Sequence, residues 1–262
     1  IIRKIMELHT PYIFGNEINN LNKAIKKNQI AIGDFISQFE EKISKFIKAK
    51  YTLSTNSGTS ALHIALKISG VQFNTEVLVS TITFISPINA IIYNGGSPVF
   101  MDTNNTFNID AEKTIDFINN ETYFKKGSTY NKKTNKKIIA IIIVHVFGNP
   151  AEINKLVKLC KERNIKIVED CAESLGSYYN KKNAHTGSIG DYGCFSFNGN
   201  KIITSGSGGL IAFKNKNDLL KAKLYINQYK NDNLKFIHND VGYNYRMTNI
   251  NAAIGLAQLK HI

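Results

Sequence analysis

Two residues of this chain, Lys201 and Asp170, have the types and surroundings that most directly suggest chemistry. Lys201 sits in Phe195-Ser196-Phe197-Asn198-Gly199-Asn200-Lys201-Ile202-Ile203-Thr204, followed by the glycine-rich Ser205-Gly206-Ser207-Gly208-Gly209. Asp170 follows the apolar run Ile165-Lys166-Ile167-Val168 and Glu169. A lysine able to form a Schiff base and a carboxylate able to pair with a pyridinium nitrogen are the two protein groups on which pyridoxal phosphate chemistry depends. Both directly follow strand-like segments, and strand ends of a parallel sheet are where such sites are built.

The remaining candidates each carry two readings. Ser57-Gly58-Thr59-Ser60 opens a helix directly after a strand, where free N–H groups and the helix dipole suit a phosphate. The same composition is also that of an ordinary N-cap. Asp170 either keeps a pyridine nitrogen protonated or caps the next helix. Glu173, three residues on, reaches the same face or complements a helix dipole. Ser196 offers a hydroxyl to the phosphate. Phe84 is either a stacking ring or plain core. Around Lys201, Phe195, Phe197, Ile202 and Ile203 predict a buried approach for the amine. No phosphate-binding G-x-x-x-x-G-K-[ST] loop, dinucleotide fingerprint or G-x-S-x-G elbow is present.

The elements that must position these residues alternate along the chain. Helical periodicity covers 17–27, 35–48, 61–68, 84–93, 111–119, 152–163, 216–228 and 248–259. Strand-like runs cover 51–54, 76–80, 97–101, 138–146, 165–168, 194–197 and 209–213. The polar segment 123–137 reads as a loop or small hairpin. Repeated β-α alternation with near-continuous apolar strands predicts an α/β fold, a mostly parallel sheet with helices on both faces. With 262 residues, 43% of them hydrophobic, one large domain spanning 1–262 is expected.

Composition narrows the function. No apolar run approaches the ~20 residues of a membrane span, and no secretory signal pattern appears. Cys160, Cys171 and Cys194 form no paired motif, so a reducing cytoplasm is expected, and the scattered histidines predict no metal site. The net charge of +13 is spread along the chain without an aromatic-interleaved basic strip, which speaks against nucleic-acid binding and reads as a solvated basic surface, with steering of an anionic substrate as the functional alternative. The chain opens on Ile1-Ile2 and stops within a helical pattern at Leu259-Lys260-His261-Ile262, so a fragment of a longer protein is expected.

Taken together, six stretches resemble one family. They are Asn56-Ser57-Gly58-Thr59-Ser60-Ala61-Leu62, Thr83-Phe84-Ile85, Val144-His145-Val146-Phe147-Gly148-Asn149, Val168-Glu169-Asp170-Cys171-Ala172-Glu173-Ser174-Leu175-Gly176, Ser196 to Thr204, and Gly242-Tyr243-Asn244-Tyr245-Arg246-Met247-Thr248-Asn249. In this order they are similar to the sugar-nucleotide aminotransferases of the DegT/StrS family, of pyridoxal phosphate fold type I. The resemblance implies the large domain of that fold, with the family's smaller C-terminal domain absent. It implies Lys201 as the Schiff-base lysine, Asp170 as partner of the pyridine nitrogen, and Glu173 on the ring-hydroxyl side, where many relatives have Gln or His. It further implies stacking by Phe84 and a phosphate held by Gly58, Thr59 and Ser196. Asn244 would reach into the neighbouring subunit's site, which implies a homodimer with shared sites.

The implied substrates are glutamate and a nucleotide-linked 4-keto-6-deoxy sugar, UDP- or GDP-linked, aminated at C4 for surface-glycan or nonulosonic-acid synthesis. The branch it looks most like works in legionaminic-acid or bacillosamine synthesis. Two side chains depart from the family pattern: Cys171 stands where Ala is usual, and Ser207 interrupts a glycine run. The related sugar 3-dehydratases carry His at the lysine position, so Lys201 argues against that activity. A catalytically silent scaffold of the same fold is the competing class, and the joint retention of Asp170, Lys201 and Ser196 weighs against it.

Overall fold

The computed structural model describes residues 9–179, 184–232 and 234–262. Two helices, α1 (Asn16–Lys26) and α2 (Asp34–Ile47), precede the sheet. There follow β1 (Tyr51–Thr55), α3 (Gly58–Ser69), β2 (Thr75–Ser80), α4 (Ile85–Tyr93), β3 (Ser97–Met101) and α5 (Ala111–Asn120). The middle of the chain supplies β4 (Thr122–Lys125), β5 (Ser128–Asn131), β6 (Lys137–Val144), α6 (Asn154–Glu162) and β7 (Lys166–Asp170). After two short strands, β8 (Tyr178–Tyr179) and β9 (Ala184–His185), come β10 (Tyr192–Ser196), β11 (Gly209–Phe213) and α7 (Lys216–Ile226). A small ribbon, β12 (Lys230–Asp232) and β13 (Ile237–His238), leads to α8 (Asn249–Gln258).

Seven strands lie side by side in the order β1-β11-β10-β7-β6-β2-β3. The five from β10 to β3 are mutually parallel, and β11 runs antiparallel between β10 and β1. The fold is therefore α/β with a mixed, mostly parallel sheet, as the alternation predicts. The polar 123–137 segment is largely the β4–β5 hairpin, which extends the sheet by antiparallel pairing of β5 with β6. The predicted strand over 138–146 stops at Val144, because His145 turns inward and a short 3₁₀ turn, Val146–Gly148, follows.

The continuous apolar strands are explained by burial on both faces. Period-two alternation sends Val77, Val79, Ala140 and Ile142 to a core shared with α3 and α7. Leu78, Ile141 and Ile143 point the other way, to a core shared with α5 and α6. A third cluster joins α2 and α8 through Phe39, Ile43 and Ile47 to Phe195 and Phe197. The α2 residues recur every fourth position and form one buried stripe, each side chain contributing roughly 1.5–3 kcal/mol. Of the candidate residues, Gly58 and Thr59 open α3, Asp170 ends β7 and Ser196 ends β10. No helix among the described residues is long and apolar enough to cross a membrane.

Candidate active site

Sheet register gathers the sequence-predicted residues at one edge. Val144 and Cys194 both lie opposite Asp170, so the C-terminal ends of β6, β7 and β10 are level. Gly209, the first residue of antiparallel β11, lies opposite both Thr55 and Ser196. The start of α3 therefore stands beside the end of β10. The approach is close: a Cβ on Gly58 would lie 2.7 Å from Ser196 Cβ and 3.1 Å from its Oγ. A Cβ on Gly209 would lie 2.3 Å from the Ser57 carbonyl oxygen. Both glycines are needed for space rather than for backbone conformation.

The start of α3 offers hydrogen-bond donors of the kind that suit an anion. Ser57 caps α3, its Oγ accepting the N–H of Ser60 at 3.1 Å. Helix geometry supplies no acceptor for the N–H groups of Gly58 and Thr59, and the dipole of the 12-residue helix adds positive potential there. The Thr59 hydroxyl donates to Ser86 Oγ at 3.0 Å, tying α3 to the first turn of α4. Phe84 precedes that turn and is 76% exposed, so the plain-core reading of this ring does not apply.

Asp170 ends β7 and is buried. Its Oδ1 accepts the Ala172 N–H at 3.0 Å, and its carbonyl accepts the His145 N–H at 3.2 Å. Burial pushes the carboxyl above the ordinary aspartate range, opposed by the Ala172 hydrogen bond and by the charge of Lys201. No salt bridge joins it to a cation among the described residues. A buried carboxylate in this state gains most from a cationic hydrogen-bond donor.

Lys201 is carried on a loop closed by Phe197 N–H to Gly208 O and Ser205 N–H to Phe197 O, both 2.9 Å. Its side chain is 16% exposed, and its Nζ lies 3.4 Å from Glu173 Oε1. The expected apolar surround is divided: Ile203 is buried and Ile202 is 54% exposed. The other Glu173 oxygen accepts the Phe147 N–H at 3.0 Å. Phe147 holds a left-handed backbone, φ 52°, which is strained for an aromatic residue and turns this N–H to the carboxylate.

Thus the structure brings Gly58 against Ser196 and Glu173 against Lys201, and sets Asp170 at the same sheet edge. Asn244 is exposed, and its carbonyl accepts Asn56 Nδ2 at 3.3 Å. Among the described residues no hydrogen bond joins its side chain to the other candidates.

A buried acid beneath the site is not among the sequence-predicted residues. Glu169 points to the face opposite Asp170 and is fully buried. It accepts hydrogen bonds from His145 Nε2 (3.0 Å), the Tyr179 hydroxyl (2.8 Å) and the N–H groups of Gly187, Ile189 and Gly190. Burial alone would raise its pKa, but these donors hold it below the ordinary glutamate range. Nδ1 of His145 accepts the Ala151 N–H at 3.2 Å, so the ring proton sits on Nε2, facing Glu169. His145, Glu169 and Cys171 place ligand-type atoms within 4.8 Å of one another, yet the His145 nitrogens and the Glu169 oxygens are all engaged in hydrogen bonds. The only sequence signal was an acid directly before Asp170 on an apolar strand.

Residues 11–262 match the sequence profile of the DegT/DnrJ/EryC1/StrS aminotransferase family. The chain is 36% identical over 258 residues to a GDP-perosamine synthase of Escherichia coli O157:H7, covering 98% of this chain and 66% of that protein. It is 33% identical over 254 residues to a UDP-4-amino-4,6-dideoxy-N-acetyl-beta-L-altrosamine transaminase of Campylobacter jejuni, covering 94% of this chain and 62% of that one. Among solved structures, PseC of Helicobacter pylori, an aminotransferase of pseudoaminic acid biosynthesis, superimposes with a TM-score of 0.83 at 27% identity, over 96% of this chain and 64% of PseC. The chain thus spans just under two thirds of the length of these relatives.

Proposed function

The chain belongs to the DegT/DnrJ/EryC1/StrS aminotransferase family, and on that premise we propose that it forms the cofactor-binding large domain of a pyridoxal-phosphate-dependent sugar-nucleotide aminotransferase. The observation that carries this reading is the convergence at one sheet edge of Lys201, buried Asp170, and the Gly58–Ser196 corner. These residues fit the cofactor. The N–H groups of Gly58 and Thr59 with the Ser196 hydroxyl would hold the phosphate. Asp170, buried and with no salt-bridge partner among the described residues, would accept a hydrogen bond from the pyridine N–H and keep that nitrogen protonated, and the exposed ring of Phe84 would cover one ring face.

When bound, pyridoxal phosphate supplies an aldehyde that carries the amino group and a protonated ring that acts as an electron sink. Lys201 Nζ would hold that aldehyde in the resting enzyme. As a free amine, Lys201 would take a proton from the amino-bearing carbon of the donor and later deliver one to C4 of the acceptor. Glu173 keeps the freed amine in place through the 3.4 Å contact. The proposed donor is glutamate. The proposed acceptor is a nucleotide-linked 4-keto-6-deoxy sugar, which the names of the GDP- and UDP-sugar relatives support. Asn244, exposed at its own corner, would donate to the phosphate in a partner subunit, so the working form is a homodimer.

Protein mixed with pyridoxal phosphate should develop a visible absorbance that borohydride bleaches, with the label fixed on the peptide containing Lys201. Lys201→Ala should lose the label and keep the wild-type unfolding temperature. A label on a different lysine, or an unchanged label in Lys201→Ala, would refute the assignment. Release of 2-oxoglutarate from glutamate, followed by a panel of UDP-, GDP- and dTDP-linked 4-keto-6-deoxy sugars, tests donor and acceptor.

A further inference from the structure

α3 carries a titratable residue that the candidate site does not use. His63, one turn beyond the Gly58 corner, is 3% exposed. Its Nδ1 lies 3.3 Å from the Tyr245 hydroxyl, while its Nε2 is buried without a hydrogen-bond partner. The ring meets Tyr243, Tyr245 and Tyr93 edge-on, at centroid distances of 4.7, 5.8 and 5.8 Å. Its backbone carbonyl accepts Asn94 Nδ2 at 3.0 Å, fixing it to the C-terminal cap of α4. A buried imidazole with one nitrogen spent on a tyrosine and the other orphaned is expensive to keep, unless the single bond it makes has work to do.

Tyr245 belongs to the segment that carries Asn244. The backbone of that segment hangs from two supports. Tyr243 and Tyr245 donate their N–H groups to Tyr225 O (2.7 Å) and Ile226 O (3.0 Å) at the end of α7. Asn56, two residues before Gly58, donates its N–H to Tyr245 O at 2.8 Å and its side-chain amide to Asn244 O. Side chains on alternate positions of an extended segment share a face, and Tyr243 stacks on Tyr245 with ring centroids 5.0 Å apart. The hydroxyl of Tyr245 is bonded to His63, so the ring pair has a directional tie to α3 as well as apolar contact.

We propose that His63 is a positioning residue, which fixes the Asn244-bearing segment against the start of α3 through its hydrogen bond to Tyr245. That this placement matters to activity rests on the reading of Asn244 given above; that the bond places the segment does not.

The test is amide hydrogen exchange at Asn56, Tyr243 and Tyr245 in the wild-type protein and in His63→Phe, Tyr245→Phe and His63→Asn. The first two remove the bond and keep an aromatic ring. Asparagine puts an amide donor and acceptor close to the Nδ1 position and restores the bond whichever partner donates. Exchange at these amides should rise about tenfold or more in His63→Phe and Tyr245→Phe, and stay within about threefold of wild type in His63→Asn. Tyr245→Phe deletes one oxygen and keeps the test informative should His63→Phe fail to fold. Wild-type exchange in Tyr245→Phe, or exchange in His63→Asn as fast as in His63→Phe, overturns the proposal, the latter because ring packing alone would then hold the segment. The cofactor affinity of Asn244→Ala is measured in parallel. Unchanged affinity there, together with the expected exchange pattern, removes the role of Asn244 and leaves His63 as the tie.

Discussion

Replacing Gly209 by alanine isolates the anion corner from the rest of the site. The new Cβ would stand 2.3 Å from the Ser57 carbonyl oxygen, 2.4 Å from its carbonyl carbon and 2.7 Å from the Gly58 nitrogen. All three are backbone atoms at the start of a helix, so no side chain can rotate aside. Ordinary contact requires a displacement of about 1 Å. Overpacking of this kind destabilises by about 1–3 kcal/mol. At about 2.1 cal/mol/K per residue, unfolding of 262 residues has an entropy near 0.55 kcal/mol/K, so the midpoint should fall by about 2–5 °C. The same displacement moves the N–H groups of Gly58 and Thr59 relative to Ser196. Loss of one well-placed phosphate hydrogen bond is worth about 1.5–3 kcal/mol, or about tenfold or more in pyridoxal phosphate affinity. Gly199→Ala is the control, because nothing lies within 4 Å of a Cβ there. Thermal unfolding without cofactor and a spectroscopic titration with pyridoxal phosphate read the two effects separately. If Gly209→Ala matches Gly199→Ala in both, the close approach of β11 to α3 does not build the phosphate corner.

Asp170→Asn keeps shape and removes charge, and should slow turnover at least ~10²-fold while weakening cofactor binding; near-normal turnover would leave Asp170 only its hydrogen bond to the Ala172 N–H in the turn after β7. Mixing Lys201→Ala with Asn244→Ala subunits should restore activity that neither has alone, since one site of each mixed dimer then carries both groups; verified mixed dimers without activity would refute the shared site. His63 yields a pH dependence. Burial and the Lys67 charge lower its pKa to about 4, with Tyr93, Tyr243 and Tyr245 as its other neighbours. Between the ordinary value of 6.5 and about 4 the unfolded chain binds a proton that the folded chain does not, so stability should fall as pH drops through that window. The loss at pH 4 should be about 2 kcal/mol after allowance for solvent screening, and His63→Asn should flatten it; identical acid limbs in denaturant titrations of the two proteins would refute this.

Much of the architecture was legible because it is encoded over short distances. Apolar runs bounded by glycine and polar turns marked β2, β6 and β7, and the stripe Phe39, Ile43, Ile47 marked α2, since period and burial face follow from local geometry. The position of Asp170 at the end of β7 could be read for the same reason, whereas Lys201 lies on the loop beyond the end of β10. Less legible were features in which one side chain overrides a local pattern. The strand predicted through residue 146 ends at Val144 because His145 turns in to Glu169, a partner 24 residues away.

The sequence by itself determined the inventory: a lysine, a buried-strand aspartate, a serine-capped helix start, and the order in which they arrive. Tertiary structure alone decided which of them meet. Gly58, Ser196 and Gly209 converge only because β11 inserts antiparallel between β1 and β10, a register that no local spacing specifies. The Lys201–Glu173 contact and the strained Phe147 that orients the carboxylate depend on two separate loops arriving at one edge. The lowered pKa of Glu169 and the raised pKa of Asp170, adjacent residues of one strand, depend on the face each side chain takes: five donors surround the first, and the second is buried with one N–H on its carboxylate. Residue type sets what a group can do, but desolvation and hydrogen-bond partners set its charge state, and both are properties of the packed fold.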